Sequence, residues 1–164
     1  MGLAAKGSGE LIMSNDSIRV APIRRSKATN AYDLLDDVCK VIAEEPKRYD
    51  QNRWGVTGWR ARRIYPAEEL PACGTVGCRA GWIVALTDGR QGLDRAVRRF
   101  DVRDTAIRIL GVKPSDVRRL FDASSVRNEL CQGTPEYAAA GVRGLRRFMR
   151  KHRARLKRRS FTRG

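Results

Sequence analysis

The apolar residues of this chain recur at spacings of three and four positions in several separate stretches, which is the pattern of helices that bury one face. The first stretch follows Asn30, a favourable N-cap residue, and ends before Pro46, because the residue before a proline avoids the helical region. Its apolar positions are Leu34, Leu35, Val38, Cys39, Val41 and Ile42. The pattern predicts a helix with one broad buried face.

Two shorter helices are predicted near the middle of the chain. One covers Val102 to Leu110 with Gly111 at its C′ position, and Pro114 opens another over residues 115–122. A segment near residues 93–100 is a weaker helix candidate. The two tandem helices have the outline of a helix-turn-helix, but the same outline is typical of a hairpin that only packs, and we favour that interpretation.

The final helix is predicted from Thr134, an N-cap residue followed by Pro135 and Glu136, and it extends as far as Arg159. Its apolar positions alternate in steps of four and three: Ala138, Val142, Leu145, Met149, His152 and Leu156. Residues 137–149 are expected to dock on the core. Beyond Arg150 the apolar face thins, so the end of this helix is expected to project or fray.

The least ordinary stretch reads Cys73-Gly-Thr-Val-Gly-Cys-Arg-Ala-Gly-Trp82 and leads into the most apolar run of the chain. Thr75 is a suitable N-cap for a helix that runs to Thr87. Small residues recur every fourth position, which would let another helix approach closely. We predict a buried central helix, with a structural motif of Cys73, Gly74, Gly77, Cys78, Gly81 and Trp82.

Residues 47–71 lack periodicity and alternate aromatic residues with arginines. Such a mixture is typical of a surface that stacks on bases, or of a loop that places its aromatic rings on a small core. We favour the loop. A short hairpin around residues 55–58 is only weakly indicated.

The predicted fold is therefore mainly α, a small single-domain helical bundle. We divide the chain into a flexible arm (1–28), a helical core domain (29–136) and a basic C-terminal helix and tail (137–164). Residues 1–13 lack the apolar core of a secretory signal, and no apolar run is long enough to span a bilayer. The cysteines are accordingly expected to be reduced thiols in the cytoplasm.

Charge is distributed unevenly along the chain. The net charge is +16, from 34 basic and 18 acidic residues, and residues 137–164 contain eleven Lys or Arg and no acid. The residues before them carry only +5. Arginine outnumbers lysine 27 to 7, which a GC-rich genome also explains. The cluster of basic residues at positions 137–164 is expected to attract polyanions, chiefly nucleic acid.

Phosphate binding by the terminal helix is the strongest functional signal, and it predicts a non-enzymatic protein whose affinity depends steeply on salt and little on sequence. A membrane surface is a weaker alternative, because the apolar face has no Trp. The candidate residues are Arg143, Arg146, Arg147, Arg150, Lys151, Arg153, Arg155, Lys157, Arg158 and Arg159.

Cysteine chemistry provides the alternatives. Cys73 and Cys78 have a spacing seen in zinc sites, but no second close pair completes the ligands, so no metal and no cofactor are expected. Cys78 follows a helix start beside Arg79, and both features lower a thiol pKa. His152 is the only histidine available as a base, which makes a cysteine-dependent enzyme the weaker hypothesis. The glycines match no nucleotide-binding fingerprint.

The segments around Tyr32, Cys73 to Trp82 and Ala106 to Pro114 resemble a group of uncharacterised proteins from actinobacteria and their bacteriophages. The shared motif is Cys-Gly-Thr-x-x-Cys-x-Ala-Gly-Trp, and the likeness covers roughly residues 31–125. It implies origin more than activity. A phage origin would favour a virion component whose two tails order against neighbouring subunits, located within the phage particle, as an alternative to a nucleic-acid-binding protein.

Overall fold

Helices form most of the structure, a computed structural model that describes residues 23–57, 75–121 and 132–160. The elements are α1 (Ala31–Glu44), a short 3-10 helix (Pro46–Arg48), β1 (Val56–Thr57), β2 (Thr75–Val76), α2 (Arg79–Arg98), α3 (Val102–Leu110), α4 (Pro114–Phe121), α5 (Pro135–Lys151) and α6 (Arg153–Arg158). The expectation of a small, mainly α bundle is confirmed.

The helix ends follow the local signals of the sequence. The side chain of Asn30 accepts a hydrogen bond from the amide of Asp33 at 3.0 Å, and Thr134 accepts one from the amide of Tyr137 at 3.3 Å. Gly111 ends α3 with φ of 61°, in the left-handed region. The predicted starts of α1 and α5 and the end of α3 are therefore confirmed, because the capping residues satisfy amides and carbonyls that the helix leaves open.

One apolar core unites the described helices. α1 packs along α5, and α2 packs against α3, with α2 also contacting α1. The fully buried side chains include Leu34, Leu35, Val38, Ile42, Ile83, Leu110, Leu145 and Leu156. They come from α1, α2, α3, α5 and α6 and belong to a single cluster. The boundary predicted at residue 137 thus marks a change in charge and not a change in packing.

The central helix begins later than predicted. Thr75 lies in β2, paired with Thr57, and Cys78 caps α2 instead, with its sulfur accepting a hydrogen bond from the amide of Gly81 at 3.5 Å. The reason is long-range. The amide of Gly77 donates to the carbonyl of Arg48, and that of Cys78 to the carbonyl of Arg53, so the segment before α2 is held extended.

Gly89 interrupts α2 without ending it. Its φ of 74° with ψ of −176° lies outside the helical region, and a second helical stretch follows directly and continues to Arg98. The helix predicted to end at Thr87 does not end there. It bends at Gly89 and continues to Arg98. The weaker candidate helix over residues 93–100 belongs to this second stretch.

Gly81 lies where the main chain of another segment crosses α2. A β-carbon at this position would overlap the carbonyl oxygen of Trp54, whereas one at Gly77 would lie 3.4 Å from the same oxygen. The predicted close approach is correct, but the partner is this loop and not a helix. Trp82 is buried and donates from its indole to the carbonyl of Arg48 at 2.8 Å. Cys73 and Gly74 lie outside the described residues.

The segment after the 3-10 helix only partly follows the favoured loop interpretation. Tyr49 is buried, as expected, but 46% of Trp54 is exposed to solvent. β1 pairs with β2 across residues 58–74, which lie outside the described part of the chain, so the pairing differs from a hairpin turn at residues 55–58.

The predicted arm over residues 1–28 is wrong for its last part. Residues 23–28 lie on the core, with Ser26 buried. The amide of Ser26 donates to the carbonyl of Leu86 at 2.8 Å, and its hydroxyl donates to the carboxylate of Asp37 at 2.6 Å. Residues 1–22 lie outside the described residues.

The expectation that the chain projects beyond Arg150 is also wrong. The helix is interrupted at His152, but α6 continues along α1 and Leu156 is fully buried. The carbonyl of Arg159 then accepts a hydrogen bond from the amide of Ala31 at 3.0 Å, which joins the end of α6 to the start of α1. Leu156 continues the four-and-three apolar spacing of Leu145 and Met149, so it lies on the same buried face.

Replacement of Gly81 by alanine tests the close approach. Alanine normally favours a helix over glycine by about 1 kcal/mol. We expect Gly81→Ala to lower the free energy of unfolding by about 1–3 kcal/mol or more, because the new methyl group forces the Trp54 main chain away. Chemical denaturation measures the change. Gly77→Ala, where the space suffices, is the control and should change stability little; equal tolerance at both positions would contradict the packing.

Removal of the Leu156 side chain tests the docking of α6. We expect Leu156→Ala to destabilise the protein by about 2–4 kcal/mol, because the side chain is fully buried. Arg158→Ala, on an exposed position of the same helix, should change the free energy of unfolding by less than about 0.5 kcal/mol. Equal and small effects in thermal or urea denaturation would show that α6 does not belong to the core.

Candidate nucleic-acid interface

α5 combines a buried apolar face with a basic outer face. The buried face comprises Tyr137, Ala138, Gly141, Val142, Leu145, Phe148 and Met149. The opposite side carries five exposed cations, which we call the α5 basic stripe: Arg143, Arg146, Arg147, Arg150 and Lys151. At 100° per residue these positions cover an arc of about 140°. One helix therefore contributes to both the core and the basic surface.

Most of this stripe has no partner in the protein. The side chains of Arg143, Arg147, Arg150 and Lys151 form no hydrogen bond, ion pair or ring contact with any residue the structure describes. They stand three or four residues apart, where like charges on a helix repel each other by a few tenths of a kcal/mol per pair. Repulsion between the cations of the stripe therefore lowers the stability of the helix that carries them.

Two cations of α6 are engaged in ion pairs. Arg155 contacts the carboxylate of Asp116 on α4 at 2.7 Å, and Lys157 contacts that of Asp33 on α1 at 2.6 Å. The hydrogen bond from Arg155 lowers the pKa of Asp116, and the bonds from Lys157 and Asn30 lower that of Asp33. Because both carboxyl pKa values are depressed in the folded state, these contacts stabilise it at neutral pH and weaken as the pH falls into the acid range.

Lys157 and two further candidates, Arg153 and Arg159, make other contacts. The ammonium of Lys157 lies 4.6 Å from the ring centroid of Tyr32, and the guanidinium of Arg153 lies 5.9 Å from it. Arg159 donates to the carbonyl of Arg108 at 3.1 Å. These cations hold α6 against α1 and α3, so a structural role accounts for their position.

Arg146 is intermediate between the two groups. Burial raises the pKa of the Cys39 thiol, and the nearby charge of the Arg146 guanidinium opposes that rise. The ten predicted residues are therefore all exposed, but they divide in two. Arg146, Arg153, Arg155, Lys157 and Arg159 have partners in the fold, whereas five do not, within the described part of the chain: Arg143, Arg147, Arg150, Lys151 and Arg158.

His152 forms the junction between α5 and α6. Its ring centroid lies 4.6 Å from that of Phe148, and its amide donates to the Phe148 carbonyl. Burial lowers the imidazole pKa, so the side chain is neutral at pH 7. It acts as a packed spacer at the interruption and adds no charge to the stripe.

A buried polar cluster beneath the cysteine motif was not anticipated from the sequence. Arg79 is 1% exposed; it donates to the carbonyl of Leu120 at 2.6 Å and lies 5.9 Å from the ring centroid of Tyr49. Asp50 and Gln51 are buried nearby. The hydroxyl of Tyr49 donates to the Gln51 side chain at 2.9 Å, and the Gln51 amide donates to the Tyr137 hydroxyl at 3.1 Å.

Burial holds the Cys78 thiol and the Tyr49 phenol of this cluster in their neutral forms. Burial raises the pKa of Cys78 to about 11 and raises that of Tyr49 as well, although Arg79 opposes both shifts. Arg79 and the amides at the helix start lower the thiol pKa, as the sequence suggested, but complete burial of the sulfur outweighs them and the net pKa is raised. Cys78 is a protonated capping group at pH 7, which disfavours it as a nucleophile.

Metal ligands are not gathered in the described residues. Cys39 and Cys78 are buried free thiols, and no group of three His, Cys, Asp or Glu side chains lies close enough together there to hold an ion. Cys73, the other member of the candidate zinc pair, lies outside the described residues, as does the remaining cysteine, Cys131.

Comparison with known proteins gives no match: no family model, no curated protein and no solved structure is similar to the chain. Among the described helices, none is long and apolar enough to cross a membrane. The interface must therefore be interpreted from its own residues.

Alkylation tests the state of the two buried thiols. Cys39 and Cys78 should react far more slowly with iodoacetamide at pH 7 than in denaturant, because both are buried and the pKa of each is raised to about 11. Mass spectrometry of digested protein identifies the modified positions. Rapid modification of Cys78 in the folded protein would contradict the capping role and restore the cysteine-enzyme hypothesis.

Proposed function

We propose that this protein binds nucleic acid without catalysis, contacting the phosphate backbone through the α5 basic stripe. The observation that supports this most strongly is the composition of the stripe. The side chains of four of its five cations form no hydrogen bond, ion pair or ring contact with other described residues. No acidic residue occurs in the helix from Tyr137 onward. The fold does not need these charges, because they repel one another, so an external polyanion explains them best.

The dimensions of the stripe suit a polynucleotide. From Arg143 to Lys151 the helix rises about 12 Å, and duplex DNA carries one negative charge per 1.7 Å of its axis. Several phosphates of one strand can therefore lie along the stripe. The rigid core behind α5 holds the cations in place before binding, which reduces the entropy lost when they meet phosphate.

The candidate set is narrower than the sequence suggested. Arg153, Arg155, Lys157 and Arg159 hold α6 in place, so their removal is expected to affect stability first and binding second. Arg158 is exposed and has no side-chain partner among the described residues, which leaves it available beside the stripe. Contacts between these cations and phosphates do not depend on the base sequence.

The alternative of a virion subunit rests on the resemblance described above. The same stripe would then meet an acidic surface of a neighbouring subunit. Binding to short nucleic acids at low salt separates the two hypotheses, since a subunit contact does not require it.

A salt titration of a paired-charge variant tests the proposal. We expect Arg147→Gln/Lys151→Gln to weaken binding to a short DNA duplex and to reduce the slope of log affinity against log salt by roughly 2, because two phosphate contacts are lost. Stability should stay equal or rise slightly, since the change removes a like-charge pair four residues apart. Fluorescence anisotropy across a salt series measures both the affinity and the slope.

The matched control removes two exposed charges from the α3–α4 hairpin. Lys113→Gln/Arg118→Gln has the same net charge as the test variant, and both side chains are exposed. Its slope should stay close to that of the unaltered protein. The proposal fails if the unaltered protein binds neither DNA nor RNA at low salt, and the assignment to α5 fails if the hairpin variant loses more binding.

A further inference from the structure

Phe100 combines an exposed apolar side chain with an unfavourable backbone conformation. It is 96% exposed, and its φ of 57° makes it the one non-glycine residue with positive φ among the described residues. In this region the β-carbon of an L-residue crowds its own backbone, which is why glycine is preferred. An exposed phenyl ring offers no burial in return.

The backbone at Phe100 shows which residue the fold itself would favour. The amide of Phe100 donates to the carbonyl of Val97, and that of Asp101 donates to the carbonyl of Ala96. These two bonds form the Schellman motif that ends α2, with Phe100 at C′, the position where glycine is usual. The helix end needs the left-handed backbone but not the phenyl ring, so the ring requires another explanation.

The surroundings of Phe100 are basic. Arg98 and Arg99 precede it and are exposed. A surface depression of about 150 Å³ lies beside it, with Arg95, Arg99 and Arg108 in its lining, together with Asp88 and Asp101. The guanidinium of Arg108 pairs with the Asp101 carboxylate at 3.7 Å, and the three arginines of the depression exceed its two aspartates by one positive charge. An exposed aromatic ring among arginines favours a ligand with both a flat apolar face and negative charge.

Basic side chains join the surroundings of Phe100 to the end of α6. Arg159 at the end of α6 donates to the carbonyl of Arg108 on α3. The side chain of Arg108 then reaches Asp101, the neighbour of Phe100. Basic side chains thus lead from the end of α6 along α3 to Phe100.

We propose that Phe100 stacks on an unpaired base of single-stranded nucleic acid, with Arg98 and Arg99 contacting the adjacent phosphates. The inference rests on the proposed function and specifies its substrate, since a duplex keeps its base faces stacked on each other and offers none to the ring. The exposed ring supplies a stacking surface that accepts any base. The left-handed backbone turns it away from the core and towards solvent.

Phe100→Gly is a test that does not endanger the fold. Glycine suits the left-handed C′ position, so the thermal midpoint of the variant should equal or exceed that of the unaltered protein. Binding to a short oligothymidylate, measured by fluorescence anisotropy, should weaken roughly tenfold or more, the loss typical of one stacked base. Binding to a duplex should stay within about twofold, and Phe100→Trp should retain the oligothymidylate affinity.

The outcomes separate the inference from the function on which it depends. If the unaltered protein binds neither nucleic acid at low salt, both fail. If it binds both but Phe100→Gly leaves oligothymidylate binding unchanged, or weakens binding to both equally, stacking by Phe100 is overturned while phosphate binding by α5 stands. Loss of self-association in sedimentation without loss of oligothymidylate binding would assign the ring to a protein contact and would also overturn the inference.

Discussion

The burial of Arg79 is the constraint on which the rest of the structure depends. A guanidinium group withdrawn from water requires hydrogen-bond acceptors and a compensating environment. It receives the carbonyl of Leu120 from α4 and the ring of Tyr49 from the segment after α1. On α5, a β-carbon at Gly144 would lie 2.8 Å from its terminal nitrogen, so only glycine leaves room for it there. Three other parts of the chain therefore converge on one side chain at the start of α2.

This convergence explains why the terminal helix belongs to the core. Gly141 and Gly144 let α5 approach Tyr49 and Arg79 closely, which fixes the rotation of α5 about its axis. Once that face is fixed inward, Arg143, Arg147 and Arg150 must face solvent. α6 continues along α1 after the interruption at His152 and is held by Leu156 and by ion pairs to α1 and α4. The basic surface is thus oriented by the core and not carried on a loose tail.

Local signals made much of the fold predictable. Asn30, Gly111 and the Thr134-Pro135 pair act on their own backbone neighbours, and each was correctly interpreted from the sequence. The failures have distant causes. Cys78 caps α2 in place of Thr75, because backbone hydrogen bonds from the segment after the 3-10 helix hold the residues before α2 extended. The burial of Leu156 depends on α1 lying beside α6, although the spacing of Leu156 from Met149 and His152 already placed it on the apolar face.

The candidate interface was predictable as a set of charges but not as a surface. Composition identified all ten cations, yet only the fold distinguishes Lys157, which is paired with Asp33, from Lys151, which has no partner among the described residues. Phe100 was missed because an apolar residue at the end of a weak helix pattern is ordinarily taken as core. Its exposure and positive φ are properties of the folded chain. Sequence therefore suggested the proposed class of partner, and the fold narrows the proposed contact to the cations that have no partner among the described residues.

The central claim is that α5 serves the core with one face and nucleic acid with the other. Titration of isotope-labelled protein with a short oligonucleotide, followed by NMR of arginine side-chain and backbone signals, tests it most directly. We predict shifts concentrated at Arg143, Arg147 and Arg150, with the signals of Leu145 and its buried neighbours little changed. Shifts confined to the α3–α4 hairpin, or loss of the α5 core signals on binding, would contradict the claim.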